Sequence, residues 1–403
     1  MKYNIWNKWD PLKVCMLGNN WGPEFFENIA DDSIRSPMQR IANETLEELS
    51  YFEEVLKDFG CEVIRAKVDN KDRIENYSDV DNPVPRNALQ PRDHQLISGN
   101  KLYSDNYDNP GIMSALTEYS DNYEEFVTFD IHTSKLDRKR WDVVAGVDWP
   151  SFDYFLENRH TASNFEDTIW KEILTFDDSL RGWDVVRHLP TSANSFLIGN
   201  DVYMSHAVDL PMSRLQEIFP DTRINMLAHG HTHTDGCFHP IKPGAILSLH
   251  DFQNYENTFP GWDVCYLEGE SWSKVRKFHH ITKKQNFGNW WVPGEEDNDK
   301  FSKFVNDWLD NWVGYVQESV FDVNVLVLDE HHVCVNNLQN EQLNAFLKKH
   351  KMEAIHIPWK HRYFWDGGLH CITLDLVREG QKQDYFPDRK EPVKLAEIQG
   401  LSR

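Results

Sequence analysis

Apolar and polar positions in this chain recur in one order: a short apolar run, a polar turn, a second apolar run, an amphipathic stretch and a third apolar run. Gln95-Leu96-Ile97-Ser98-Gly99-Asn100-Lys101-Leu102-Tyr103-Ser104 is closely matched by Ser195-Phe196-Leu197-Ile198-Gly199-Asn200-Asp201-Val202-Tyr203-Met204. In both, two strand-like runs flank a Gly-Asn turn, which is a hairpin signal. A third copy runs from Val323 to Leu328, turns at Asp329-Glu330-His331-His332 and resumes at Val333-Cys334-Val335. After the second hairpin, Met212 to Phe219 carries Leu215, Ile218 and Phe219 on one helical face, and Ile224 to Leu227 follows as a strand. After the third come a helix from Gln342 to His350 and a strand from Ala354 to Ile357.

The N-terminal part follows a similar plan. Leu12 to Leu17 predicts a strand, Glu44 to Phe59 a helix of clear 3.6-residue period, and Val63 to Ala66 a strand. A fifth, less regular unit begins at Ala245-Ile246-Leu247-Ser248. Units sharing one strand–turn–strand–helix–strand plan predict an α/β protein whose units are arranged around an axis. No Gly/Ser linker or low-complexity block divides the chain, so residues 1–403 read as a single domain. Residues 255–300 read as an insertion, polar and aromatic, with Trp290-Trp291 and the acidic run Glu295-Glu296-Asp297-Asn298-Asp299. The insertion leads into Phe301, Phe304, Val305, Trp308, Leu309, Trp312, Val313 and Val316. Their i, i+3, i+4, i+7 spacing predicts an amphipathic helix facing the core, with a lid or subunit contact as the other reading.

Composition narrows the class. Apolar residues make up 40% of the chain, including 15 Trp, 14 Tyr and 23 Phe, enough for a large core. The formal net charge is −23, from 65 acidic and 42 basic residues. Such a surface repels phosphate backbones and excludes nucleic acid as the expected partner. It favours cationic ligands. Met1-Lys2-Tyr3-Asn4-Ile5-Trp6 contains no apolar signal-peptide core, and no apolar run reaches the roughly 18 residues of a membrane span. The six cysteines are scattered without a CxxC pair, which fits reduced thiols in the cytoplasm. Cys15 and Cys334 lie in apolar runs and read as core.

One cysteine stands apart. Trp365-Asp366-Gly367-Gly368-Leu369-His370-Cys371-Ile372-Thr373 places Cys371 just after a glycine pair and directly after a histidine. The glycines permit a tight turn and close approach of a ligand. Cys371 is either a buried inert thiol or a nucleophile, and a nucleophile needs a neighbouring cation to lower its pKa. Its partner would come from His231-Thr232-His233-Thr234-Asp235-Gly236, far upstream, as thiol catalysis commonly arranges. Alone, this stretch also resembles the HxHxD metal motif of metallo-β-lactamase-like hydrolases, though Gly236 stands where that motif continues with His. Pro91-Arg92-Asp93, just ahead of the first hairpin, adds a carboxylate at a strand mouth, and Thr191-Ser192-Ala193-Asn194 holds the equivalent place before the second.

Together these residues resemble the amidinotransferases of the pentein superfamily, such as glycine and inosamine-phosphate amidinotransferases. Lys8-Trp9-Asp10-Pro11-Leu12-Lys13-Val14 is similar to the family's EWDPLxxV strand, and Pro91-Arg92-Asp93 to its PRD. His233-Thr234-Asp235 is similar to its catalytic HxD, and Asn324-Val325-Leu326-Val327-Leu328-Asp329-Glu330 to NVLMLDE. Gly367-Gly368-Leu369-His370-Cys371-Ile372-Thr373 is similar to GGFHCWT, with Asp375 following. The matches run in order across nearly the whole chain. The resemblance implies a pentein-type, five-fold pseudosymmetric α/β propeller of ββαβ-like units.

It also implies a chemistry. Cys371 would attack the guanidinium carbon of arginine to form an amidino-cysteine. His233 would protonate the leaving amine and deprotonate the acceptor. Asp93 and Asp235 would pair with the guanidinium, whose planar fork suits carboxylates. Arg92, Thr191, Asn194 and Asp366 would line the substrate site, with no metal and no organic cofactor. The implied partners are arginine and an acceptor amine, with glycine the default, in a homodimer without nucleic acid or membrane. A related reading is a hydrolase of arginine deiminase type, in which water resolves the intermediate. The chain departs from the family where a carboxylate is usual on the strand of Thr191 to Asn194. It departs again at Phe252, where the family has an arginine for the substrate carboxylate, and at Gln317 and Glu318, which replace two serines.

Overall fold

The computed structural model of the chain describes residues 3–68, 87–105, 110–126, 190–205, 208, 212–227, 233–248, 254–267, 292–295, 297–308, 321–365 and 367–393. Within them, strands form five three-stranded sheets built on one plan. In each, an antiparallel pair is joined by a third strand lying parallel to the second member, after a helix. The first sheet contains β1 (Leu12–Leu17), followed by the helix α1 (Asp32–Asp58) and β2 (Glu62–Arg65). The second contains β3 (Gln95–Ser98) and β4 (Lys101–Asp105), then α2 (Pro110–Tyr119) and β5 (Tyr123–Phe126). The third contains β6 (Ser195–Ile198) and β7 (Asp201–Ser205), then α3 (Met212–Ile218) and β8 (Arg223–Leu227).

The fourth sheet has β9 (Phe238–Lys242) and β10 (Ala245–Ser248), then the short helix α4 (Tyr255–Thr258) and β11 (Asp263–Tyr266). The helix α5 (Asp299–Trp308) precedes the fifth sheet. That sheet holds β12 (Leu326–Asp329) and β13 (His332–Val335), then α6 (Glu341–Lys349) and β14 (Glu353–His356). A last short helix, α7 (Arg362–Trp365), leads to β15 (Thr373–Arg378). β15 pairs antiparallel with β1 and completes the first sheet. The first unit is therefore assembled from both ends of the chain, so the residues around Cys371 feed directly into the sheet that the N-terminal segment begins.

Local chemistry explains these elements. At the two matching hairpins Gly99 and Gly199 have φ of 57° and 60°, the left-handed region that glycine adopts without a steric cost. At Gly199 there is a second reason: a Cβ would lie 1.8 Å from the Gln383 carbonyl oxygen. α1 starts at Asp32 rather than at Glu44, where the periodic pattern begins. Asp31 caps it by accepting from the Ser33 amide at 3.0 Å. Pro37 cannot donate to the Ser33 carbonyl within the helix, and Asn298 Nδ2 supplies that bond instead at 2.8 Å. The fourth unit starts at Phe238, one strand earlier than the Ala245 start read from sequence, and its α4 and β11 take up residues 255–266, the start of the stretch that reads as an insertion.

The inner face of α1, with Ile34, Met38, Ile41, Leu49, Phe52 and Leu56, packs on β1, Phe301, Phe304 and Val305 in one apolar cluster. The described part of α5 thus faces the core, as its period predicts; residues 309–320 lie outside the described residues. A second cluster joins β6, β9, β10, β12 and β13 around Trp9. Cys15 and Cys334 are fully buried in the first. Among the described residues no helix is long and apolar enough to cross a membrane.

Candidate active site

The end of the α7–β15 connection presents Cys371 at a point where several units meet. Asn324, just ahead of β12, organises this connection. Its Oδ1 accepts from the amides of His370 at 2.9 Å and Cys371 at 3.1 Å. Its Nδ2 donates to Cys371 Sγ at 3.1 Å and to the Asp235 carbonyl at 3.3 Å. One buried amide side chain therefore fixes the thiol's backbone and offers the sulfur a donor, which favours charge on sulfur. Gly368 makes this packing feasible, because a Cβ there would stand 2.6 Å from Asn324 Cβ and Oδ1.

Asp235 lies in the short 3-10 turn Thr234–Gly236 that precedes β9. Its amide donates to the Ala193 carbonyl at 3.0 Å, and the Thr234 hydroxyl donates to the Asn194 carbonyl at 2.7 Å. The turn is thereby tied to the segment before β6. Asp235 is completely buried, and its Oδ2 lies 3.8 Å from Cys371 Sγ. The same oxygen receives His370 Nδ1 at 2.6 Å. The HxD spacing suggests His233 as the neighbour of Asp235, but the carboxylate is held by His370. His233 is half-buried at the N-terminal cap of the turn.

Behind the thiol lies a buried charged group. Arg92 is fully buried. Its Nε donates to the His370 carbonyl at 2.7 Å and its Nη2 to Asp375 Oδ1 at 2.9 Å. The sequence assigns Arg92 to the substrate; in the fold these bonds make it a strut between the turn before β3 and the Cys371 backbone. Arg378 donates from Nε to Asp375 Oδ2 at 2.9 Å, and Lys8 Nζ stands 3.7 Å from the same oxygen. Burial works against the Asp375 carboxylate, yet Arg378, Lys8 and Arg92 outweigh it and hold its pKa well below the usual range. Burial lowers Lys8 to about 7, with Arg92 and Arg378 adding to the fall and Asp375 opposing it.

Burial disfavours the protonated form of the two neighbouring imidazoles. Burial, together with Arg92, His239 and Lys8, pushes the pKa of His370 well below its ordinary value, and burial with Lys8 and Arg92 does the same for His239. Their rings meet edge-on at 4.6 Å, and Phe196 stacks on His370 at 5.7 Å.

The remaining sequence-assigned residues fall as follows. Asp93 is half-buried in the turn that begins at Pro91. Thr191 and Asn194 are buried and cap each other: Thr191 N donates to Asn194 Oδ1 at 2.7 Å and Asn194 N to Thr191 Oγ1 at 3.3 Å. These bonds shape the segment on which Asp235 rests. Asp366 and His231 lie outside the described residues, so the metal reading of HTHTD has its first histidine there too. The sequence places His370 only as the chain neighbour of Cys371 and does not single out the Asn324 and His239 side chains. Asn324 carried a signal, since an amide at the head of a wholly apolar strand is buried and needs partners.

No family model matches the chain, and no curated protein does. Among solved structures, the chain is similar to SxtG, an amidinotransferase from Microseira wollei in the saxitoxin biosynthetic pathway. The identity is 18%, the TM-score 0.58, and the match covers 96% of this chain and 100% of that one. It is also similar to the inosamine-phosphate amidinotransferase of Streptomyces griseus, at 16% identity and a TM-score of 0.56, covering 95% of this chain and 99% of that one. The chain is thus a mixed α/β protein with the fold of these amidinotransferases.

Proposed function

We propose that this protein transfers an amidino group from a guanidino donor, arginine or a close analogue, to an acceptor amine through a covalent intermediate on Cys371. The observation that carries the reading is the buried contact of Cys371 Sγ with the Asn324 amide at 3.1 Å and the Asp235 carboxylate at 3.8 Å. A thiol beside a buried carboxylate is a poor nucleophile by itself, because the negative neighbour disfavours the thiolate. A guanidinium arriving at Asp235 and Asp93 supplies the missing positive charge. It also places its electrophilic carbon beside the sulfur. The likeness in fold to two amidinotransferases supports the same reading, as does the five-unit plan, which we take as a propeller around a pseudo-five-fold axis in one domain.

In the reaction so read, the Cys371 thiol passes its proton to His233 as its sulfur forms a bond to the guanidinium carbon. The carbon–nitrogen bond to the leaving amine breaks, and His233 gives that amine a proton. The acceptor amine then attacks the amidino carbon and loses a proton to His233, and the carbon–sulfur bond breaks as His233 returns that proton to the sulfur. Glycine is the first acceptor to test. The test is incubation with arginine and a panel of amines, with mass analysis of products. Ornithine plus a new guanidino compound supports transfer. Citrulline plus ammonia replaces transfer by hydrolysis, and no product from any donor sinks both.

A further inference from the structure

We infer that His370 is a positioning residue: its Nδ1–H holds the Asp235 carboxylate with Oδ2 toward Cys371, so the sidedness of the site depends on the histidine next to the thiol. The inference rests on Cys371 being the nucleophile. Three observations support it. Oδ2 of Asp235 is shared between His370 Nδ1 at 2.6 Å and Cys371 Sγ at 3.8 Å. A carboxylate can only accept there, so Nδ1 carries the proton. The ring is only 1% exposed, and Nε2 has no hydrogen-bond partner among the described residues. Nδ1 is thus the ring's engaged nitrogen. Finally, Asn324 Oδ1 and Arg92 Nε bind the amide and carbonyl of His370, and Phe196 and His239 bracket its ring. The imidazole has little freedom to turn away, and burial keeps it neutral. A neutral donor orients the carboxylate without cancelling the charge that the guanidinium must meet.

Three substitutions separate this role from simple packing. His370→Phe keeps a ring between Phe196 and His239 but removes both nitrogens. His370→Asn retains a donor near the Nδ1 position, and His370→Gln places one near Nε2. Asp235→Asn is the reference for losing the charge. The groups facing the cluster stay unchanged: His239 of β9, Lys8, Arg92 before β3, and Asp375 and Arg378 of β15. The readout is the pH midpoint of the Cys371 thiolate absorbance, taken as a difference against Cys371→Ser in each background, together with kcat and KM for arginine.

A buried carboxylate deprived of its donor takes up a proton, and losing that negative charge favours the thiolate. His370→Phe and His370→Gln should therefore lower the midpoint, as Asp235→Asn does, by on the order of one pH unit. Both should lose at least about tenfold in kcat/KM, while His370→Asn stays near the wild-type midpoint and keeps most of the rate. If the Phe variant does not fold, the Asn and Gln pair decides. Equal midpoints and rates for Asn, Gln and wild type overturn the inference. A wild-type protein that transfers nothing, while the midpoints follow the predicted order, overturns the proposed reaction and leaves the positioning role standing.

Discussion

Asn324 and Cys371 show how few atoms set the site. One side chain satisfies two backbone amides and contacts the sulfur, so its loss acts on fold and chemistry together. Asn324→Ala should destabilise the protein by about 2–4 kcal/mol in urea unfolding, since two buried donors lose their acceptor. Asn324→Asp separates the roles. It keeps the acceptor for both amides but sets a carboxylate oxygen against Sγ, so amidino transfer should fall by more than stability does. Cys371→Ala should abolish turnover; retained activity would remove the nucleophile. His233→Ala should also nearly abolish it, and His231→Ala should be much milder. Two equally dead histidine variants, with inactivation by chelators, would favour a metal site instead.

At the scale of elements, Arg92 and the Asp375 group join the turn before β3, the Cys371 connection and β15. Removing one partner from a buried charged network leaves the others uncompensated. Arg92→Ala should therefore cost about 3–5 kcal/mol in stability, and a cost under about 1 kcal/mol would contradict the strut. Lys8 makes the network sensitive to pH. In the fold, burial lowers the pKa of Lys8 to about 7, from an ordinary value of 10.5. Between those values the unfolded chain binds more protons, so this group makes stability rise with pH across that window. Comparing urea unfolding at pH 7 and 8.5, wild type should gain on the order of 1 kcal/mol relative to Lys8→Met. Parallel pH curves for the two proteins would refute the assignment.

At the scale of the whole molecule, the segment before β1 and the residues after β15 tie separate sheets together. β15 completes the first sheet, and residues 381–393 continue across the third. Phe386 is buried in the second apolar cluster, and Trp9 and Asn7 both donate to the Tyr385 hydroxyl. Arg389 donates to the buried Asp201 at 3.0 Å, and Arg223 binds both Asp201 and Asp384. A chain ending at Gly380 should lose at least about 3 kcal/mol, the usual cost of losing one buried phenylalanine. Unchanged urea midpoints would show that residues 381–393 carry no stability.

Local pattern was enough to reveal the hairpins at Gly99 and Gly199, the helix–strand pairs after the second and third hairpins, and the core face of α5. Each depends on periodicity and turn chemistry within a few residues. Cys371 and Asp235 stand out from the sequence as candidates, and the fold brings their side chains to 3.8 Å, whereas Asp93 lies half-buried in the turn before β3. What the chain could not display locally was partnership. Asp235 stands two residues from His233, yet it is bonded to His370, because the turn before β9 and the connection before β15 converge through Asn324. Arg92 reads as a cation for a substrate until burial and the His370 carbonyl turn it inward. β1 finds its antiparallel partner at the far end of the chain. Sequence spacing determines which face a side chain occupies; which distant group meets it there is decided only when the sheets pack and every buried donor and acceptor must find a partner.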